Sequence, residues 1–338
     1  METKVLKADE QAIKIAASLI LNGEIIGMPT ETVYGLAASS LDSNAVAKIF
    51  KAKGRPQDNP LISHISSMNM LNMVAQNIPD EAYMLANAFW PGPLTMVLPR
   101  STSIADEVCA GLNTAAVRMP SHTVALALIN ECKVPLAAPS ANISGSPSPT
   151  TAKYVYDDMN GKIPLILDGG DCEVGVESTV ISLVGKPILL RPGHITKEQL
   201  EKILGKQILV SDAVLHKLAK GEATPSPGMK YKHYAPKANI ILIKGSKEAY
   251  YKYISSHNEP NTYRLCFEGE QALSEIPCIT YGREANATEQ ARRIFKALRE
   301  LDENGAEIVY ARCPQESGEA MAVYNRMIRA AAFNIVEV

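Results

Sequence analysis

The chain has 338 residues, 46% hydrophobic and 21% charged. That composition is globular and excludes disordered, collagen-like and coiled-coil architectures, and the length suits two domains or one large one. Lys+Arg 34 against Asp+Glu 36 leaves a net charge of −2, too little to coat nucleic acid indiscriminately, although a local basic site remains open. Cys109, Cys132, Cys172, Cys266, Cys278 and Cys313 include no C-x-x-C pair, so no zinc ribbon or thioredoxin-type centre is indicated. They read as reduced thiols of a cytoplasmic protein. No apolar run of 18 residues predicts a membrane span, and METKVLKADEQ is not a secretory signal.

Residues 9–22 predict a helix. Asp9 can cap it, Ile13, Ala16, Ala17 and Ile20 share one face, and Gly23 stops it. A strand, Ile25–Met28, then runs into Pro29-Thr30-Glu31-Thr32, where proline cannot continue a ladder. Short strands are expected at Leu61–Ile65, Leu94–Leu98, Ala115–Arg118, Leu136–Ala138, Leu165–Leu167, Ser178–Leu183 and Ile188–Arg191. Helices are expected at 44–52, 80–89, 122–131 and 196–203. Close strand pairs such as 178–183 and 188–191 suggest antiparallel hairpins within an α/β mixture. At 221–238 prolines, glycines and lysines replace any helical or strand period, which reads as a linker. The pattern then restarts. Strands are expected at Asn239–Ile243, Thr262–Phe267, Pro277–Tyr281 and Ile308–Ala311, with helices at 246–256, 287–303 and 318–332. This alternation implies a small, mostly parallel sheet.

No P-loop, G-x-G-x-x-G, H-E-x-x-H or G-x-S-x-G is present, so a nucleotide enzyme here needs another phosphate cradle. The segment from Ala47 to Pro56 holds Lys48, Lys51, Lys53 and Arg55 and no acid. It reads either as a solvated helix end offsetting the macrodipole or as cations converging on a polyphosphate. Residues 137–150 follow an apolar strand and are dense in small hydroxyls. They read either as a turn-rich connection or as a loop whose backbone can approach a ligand. Arg118 and Arg191 each end an apolar strand, and each needs an anion, a protein carboxylate or a ligand. His64 reads as a structural hydrogen-bonder or a site group. Glu177-Ser178-Thr179 opens a strand, and Trp90-Pro91-Gly92-Pro93 reads as a rigid turn.

Together these segments resemble the YrdC-like family. The resemblance rests on Pro29-Thr30-Glu31-Thr32-Val33-Tyr34-Gly35-Leu36, the K-x-R of Lys53 and Arg55, and the S-x-N of Ser140 and Asn142. It rests also on Pro91-Gly92-Pro93-Leu94-Thr95, Arg118-Met119-Pro120, Gly175-Val176-Glu177-Ser178-Thr179 and Arg191-Pro192-Gly193. The match spans about residues 10–205, and the segment Ser226–Pro236 looks like the linker of the family's long, two-domain form. The resemblance implies a twisted mixed α/β sheet domain around a deep basic cavity over 1–210, a linker over 211–238, and a smaller Rossmann-like domain over 239–338.

The family makes L-threonylcarbamoyladenylate from L-threonine, bicarbonate and ATP, releasing pyrophosphate, for threonylcarbamoyladenosine formation at position 37 of tRNA. By motif match Thr32, His64, Arg118, Ala138 and Ser178 surround threonine. Arg55, Asn59, Thr114, Ser140, Ser148, Arg191 and Tyr231 hold ATP. Lys51, Lys53 and Asn142 line the same cavity, and Tyr231 and Tyr234 cap it. No covalent nucleophile is expected and no protein-held metal; Mg²⁺ arrives with ATP on its phosphates. The implied partners are the three substrates, the downstream threonylcarbamoyl-transfer complex and tRNA, with no membrane. A second reading is a structured-RNA-binding module without turnover, which the near-zero net charge opposes. A third, a carbamoyl-transfer domain, needs zinc-finger cysteines that this pattern lacks.

Overall fold

The computed structural model describes residues 2–216, 234–257 and 259–338. Most of the expected linker, with Tyr231, lies outside the described residues. Two compact units result: residues 2–144 with 148–216, and 145–147 with 234–338.

The first unit runs β1 (Lys4–Lys7), α1 (Glu10–Leu21), β2 (Ile26–Met28), β3 (Gly35–Ser39), α2 (Ser43–Lys53), β4 (Ile62–His64), α3 (Met68–Val74) and α4 (Asp80–Phe89). It continues β5 (Leu94–Pro99), α5 (Asp106–Cys109), β6 (Thr114–Arg118), α6 (Thr123–Cys132), β7 (Leu136–Ala137), α7 (Ala152–Met159), β8 (Leu165–Asp168), β9 (Thr179–Ser182), β10 (Ile188–Arg191), α8 (Lys197–Leu204) and β11 (Leu209–Val210). Local chemistry sets the helix ends. The Asp9 carboxylate accepts from Ala12 N at 2.8 Å, as an N-cap should. Gly54, at φ 62°, closes α2 in the left-handed conformation. Thr196 and Gln199 form a reciprocal capping box on α8.

All eleven strands form one mixed sheet, ordered β1-β8-β2-β3-β7-β4-β6-β5-β9-β10-β11. The expected hairpin is present: β9 and β10 are antiparallel, with Ile188 opposite Ser182. Helices α1 and α6 bury one face of the β1-to-β7 half through Ala16, Ile20, Leu128 and Ile129, against Ile26, Ala37, Leu136 and Leu167. The opposite face carries the larger core, with Ile49, Phe50, Leu85 and Val155 against Leu36, Val117 and Ile166. Paired residues of neighbouring strands point to one face. The surface that holds Leu136 therefore continues through His64, Arg118 and Thr95. There it carries only a small cluster of Ile62, Val97, Ala116, Val180, Leu190 and Ala213. Among the described residues, the one helical contribution to that cluster is Ala213, from the single turn Asp212–Val214. The candidate site side chains collect on this half-face, where loops rather than helices bury them: His64 and Arg118 are each 3% exposed.

The second unit holds β12 (Asn239–Lys244), α9 (Lys247–Ile254), β13 (Thr262–Cys266), β14 (Cys278–Thr280), α10 (Ala287–Glu303), β15 (Ile308–Arg312), α11 (Ala320–Ala330) and β16 (Ile335–Glu337). Its five strands are parallel, in the order β14-β13-β15-β12-β16. Ile294, Phe295, Leu298 and Leu301 bury one stripe of α10, the stripe its 3–4 spacing demands.

Candidate functional site

The loop between β2 and β3 builds one wall. The Thr30 hydroxyl donates to Val33 O at 2.6 Å and accepts from the amides of Thr32 and Val33, both at 3.2 Å. This turn folds the loop without a strand partner. The amide of Val174 donates to Glu31 O. Tyr34 tethers the far end, donating to Gly170 O at 2.7 Å and accepting from the Gly169 amide at 3.2 Å. Gly35 is required by space: a Cβ there would stand 3.0 Å from the Ala138 Cβ.

Arg118 ends β6 and is 3% exposed. Its Nε donates to Gly92 O at 3.2 Å, its Nη1 to Thr32 Oγ1 at 2.8 Å, and its Nη2 faces Glu31 Oε1 at 2.6 Å. The anion its burial required is thus a protein carboxylate. Glu31 Oε1 also accepts from the Ser121 amide at 3.1 Å. Burial pushes the Glu31 carboxyl upward, but the Arg118 guanidinium and the Ser121 amide outweigh it and hold it below its ordinary value. A guanidinium has five N–H groups. Nε and Nη1 each make one hydrogen bond here, while Nη2, buried and 2.6 Å from Glu31 Oε1, makes an ion pair without an aligned hydrogen bond, so N–H groups on both Nη atoms remain for the bidentate fork that grips a carboxylate.

His64 lies beside Arg118 across the β4–β6 pair. Burial, then the neighbouring guanidinium, push its pKa down to about 3, so the imidazole is neutral. Its Nδ1, Glu31 Oε2 and both amide atoms of the Asn59 side chain are buried without a hydrogen-bond partner among the described residues. Natural folds leave few such atoms, and each calls for an explanation.

On the other side of Arg118 stands Thr95. Its hydroxyl lies 2.7 Å from Ser178 Oγ. Arg191, at the end of β10, donates Nε to Ser178 O at 3.0 Å and Nη2 to Ser178 Oγ at 3.1 Å. The preceding residue, Glu177, accepts from Ser148 Oγ at 2.5 Å. Gly193 lets this junction close, since a Cβ there would fall 2.3 Å from the Thr179 amide nitrogen.

A third group gathers at the exit of α2. Lys53, 2% exposed, donates to the carbonyls of Ser140 and Asn142, the latter at 2.6 Å. The Ser140 hydroxyl donates to Asn142 Oδ1 at 2.5 Å. Arg55 donates Nη2 to Pro60 O at 3.1 Å and to Asn59 O at 3.3 Å. From Leu136, opposite His64, to Ser140 is four residues, at most about 14 Å along the chain.

Of the residues expected around threonine, Thr32, His64, Arg118 and Ser178 are brought together, and Ala138 extends β7 by donating its amide to Ile62 O. Arg55, Asn59, Ser140, Lys53 and Asn142 form the α2-exit group, while Ser148 and Arg191 join through the adjacent Glu177 and Ser178. Thr114 starts β6, four residues from Arg118 and on the same face. Lys51 is exposed on α2, and Lys48 is spent on Gly23 O and Glu24. Tyr234 packs within the second unit against Phe295, ring centroids 5.2 Å apart. Tyr231 lies outside the described residues. The sequence reading gave no role to Glu31, Thr95 or Glu177. Glu31 had a signal, as a lone acid among small and apolar residues of a chain that also carries a strand-ending arginine.

The fold and this polar half-face define a YrdC-type α/β domain followed by a parallel α/β domain. The telomere recombination (Sua5/YciO/YrdC) family model matches residues 18–193, and the model of the threonylcarbamoyl-AMP synthase C-terminal domain matches 195–332. The chain is 45% identical to the threonylcarbamoyl-AMP synthase of Pyrococcus abyssi, over 98% of this chain and 97% of that protein. It is 41% identical to that of Bacillus subtilis, over 99% and 97%. The crystal structure of P. abyssi Sua5 complexed with L-threonine matches with a TM-score of 0.90 at 44% identity, covering 100% of this chain and 99% of that one. This chain belongs to the threonylcarbamoyl-AMP synthase family, in its two-domain form.

Proposed function

We propose that this chain joins L-threonine, bicarbonate and ATP into L-threonylcarbamoyladenylate, releasing pyrophosphate, to supply threonylcarbamoyladenosine formation at position 37 of tRNA. The observation that carries this reading is Arg118. It is a buried guanidinium, fixed by hydrogen bonds to Thr32 and Gly92 and by an ion pair with Glu31, with N–H groups left on both Nη atoms. That is a seat for the carboxylate of a small amino acid. Thr32, His64, Ala138 and Ser178 bound the seat. Ser140 lies four residues beyond Leu136, the neighbour of His64, so at most about 14 Å of chain separates them, a span that an adenylate beside an amino acid can bridge. Arg55, Asn59, Thr114, Ser140, Ser148, Arg191 and Tyr231 hold ATP in this proposal, with Lys51, Lys53 and Asn142 beside them.

The chemistry needs no covalent nucleophile. The threonine ammonium gives up a proton to water, its nitrogen bonds to the bicarbonate carbon, and water leaves. The carbamate oxygen then attacks the α-phosphorus, and the bond to the β-phosphate breaks to release pyrophosphate. Holding the reactants in contact supplies roughly 7–11 kcal/mol of the barrier. Arg191 and the Ser140–Asn142 loop offset charge developing on phosphate. The neutral His64 leaves the threonine nitrogen free of a competing cation. Among the described residues no group of three or more His, Cys, Asp or Glu side chains is placed to hold a metal ion. Mg²⁺ would accordingly be held by the ATP phosphates.

The test is pyrophosphate release that requires both L-threonine and bicarbonate and is abolished in Arg55→Ala, with folding retained by circular dichroism. Release independent of threonine would overturn the proposal. Salt-dependent RNA affinity without any turnover would favour an RNA-binding module instead.

A further inference from the structure

We infer that Glu31 holds the ammonium of the amino-acid substrate, so that Arg118 and Glu31 form a two-point clamp for an α-amino acid zwitterion. The inference rests on the substrate reading above and deepens it. Glu31 is 4% exposed and its Oε1 stands 2.6 Å from Arg118 Nη2. Its second oxygen, Oε2, is buried with no partner among the described residues. A carboxylate that served only to orient Arg118 would have no reason to bury an orphan oxygen, because leaving one unpaired is costly. The carbonyl of Glu31 is fastened by the Val174 amide and its Oε1 by the Ser121 amide. Oε2 is therefore held in place rather than left to swing toward water.

An amino acid carries its two charges on adjacent carbons. Arg118 and Glu31 carry the complementary charges on groups already in contact. The cation offers N–H groups on both Nη atoms, and the anion its unpartnered Oε2. A carboxylate seated on Arg118 places the neighbouring ammonium beside Glu31 Oε2. His64, neutral and on the other flank of Arg118, does not compete for that carboxylate and does not repel the ammonium. The clamp selects α-amino acids over hydroxy acids and free amines. It also aims the nitrogen that, after its ammonium has released a proton to water, meets the bicarbonate carbon.

The experiment is calorimetric binding to the full chain, using L-threonine and (R)-3-hydroxybutyrate, which lacks only the amine. Glu31→Gln should weaken L-threonine by roughly 10- to 100-fold, the range for a hydrogen bond to a charged group, while leaving (R)-3-hydroxybutyrate within about twofold of its affinity for the parent. The parent should lose L-threonine affinity at alkaline pH as the ligand's ammonium deprotonates, and Glu31→Gln should not. Equal weakening of both ligands, or an unchanged alkaline decline in the variant, would show that Glu31 acts only through Arg118 and would overturn the inference. Should Glu31→Gln fail to fold, Glu31→Asp keeps the charge and must still weaken threonine selectively. A folded parent that binds no L-threonine refutes the substrate reading itself, an outcome distinct from both.

Discussion

Acidification tests the electrostatic design of the site through His64. Unfolded, its imidazole takes a proton near pH 6.5; folded, burial and Arg118 delay this to about 3. Between those values the unfolded chain holds the extra proton, so this group's contribution to stability falls as pH falls. At pH 5 the loss is about 2 kcal/mol, and any folded value below about 4 leaves that figure nearly unchanged. Glu31, held below its ordinary value, acts in the same direction but only nearer pH 4. The variant His64→Asn cannot titrate. Trp90 is the single tryptophan and lies in the first unit, with Nε1 donating to Leu94 O at 2.7 Å. Its fluorescence therefore reports urea unfolding of that unit. Between pH 7.5 and pH 5 the parent should lose about 2 kcal/mol more stability than His64→Asn. Other titrating groups are common to both proteins and cancel in the comparison. Equal losses would mean that His64 is not held neutral beside Arg118, and the electrostatics argued for the site would be wrong.

Lys53→Met should lower the first unit's stability by about 2–4 kcal/mol, because the carbonyls of Ser140 and Asn142 lose a buried charged donor; thermal melting and ATP titration check the fall in stability and in nucleotide affinity. Gly193→Ala drives a Cβ into the Thr179 amide and should cost about 1–3 kcal/mol or more, with a raised KM for ATP in a pyrophosphate-release assay as Arg191 and Ser178 are pushed apart. Thr196→Ala removes the capping box of α8 and should cost about 1 kcal/mol while leaving kcat unchanged, which separates loss of stability from loss of function.

Strongly periodic elements were legible. Helix 287–303 and strand Ile188–Arg191 appear with the expected bounds, and 80–89 matches Asp80–Phe89. Elements without a period were missed. Strand β1, KVLK, is largely exposed and exists because it pairs in parallel with β8. Strand β3, GLAAS, is buried on both faces and shows no alternation. Helix α7 follows a run of serines and prolines whose turn chemistry masked it, although Thr151 caps it by accepting from the Tyr154 amide. Strand β16 follows α11 after a short turn and depends on β12 for its ladder.

The same division holds for the site. Proline, glycine and small hydroxyls at fixed spacing are read directly from residue order, because each imposes a local backbone conformation or leaves room for a ligand. Residue order therefore sufficed for the fold class, the family and the motif residues. It did not decide which anion meets which cation. Glu31 and Arg118 lie 87 positions apart, and only the β4–β6–β5 register and the loop held by Thr30 bring them to 2.6 Å. Likewise Lys53, one of four cations in a short run, is withdrawn from solvent to bind loop carbonyls, while Lys51 two residues earlier stays exposed. Burial turns a charge from a surface ornament into an obligation to find a partner, and burial is a property of packing across the whole sheet.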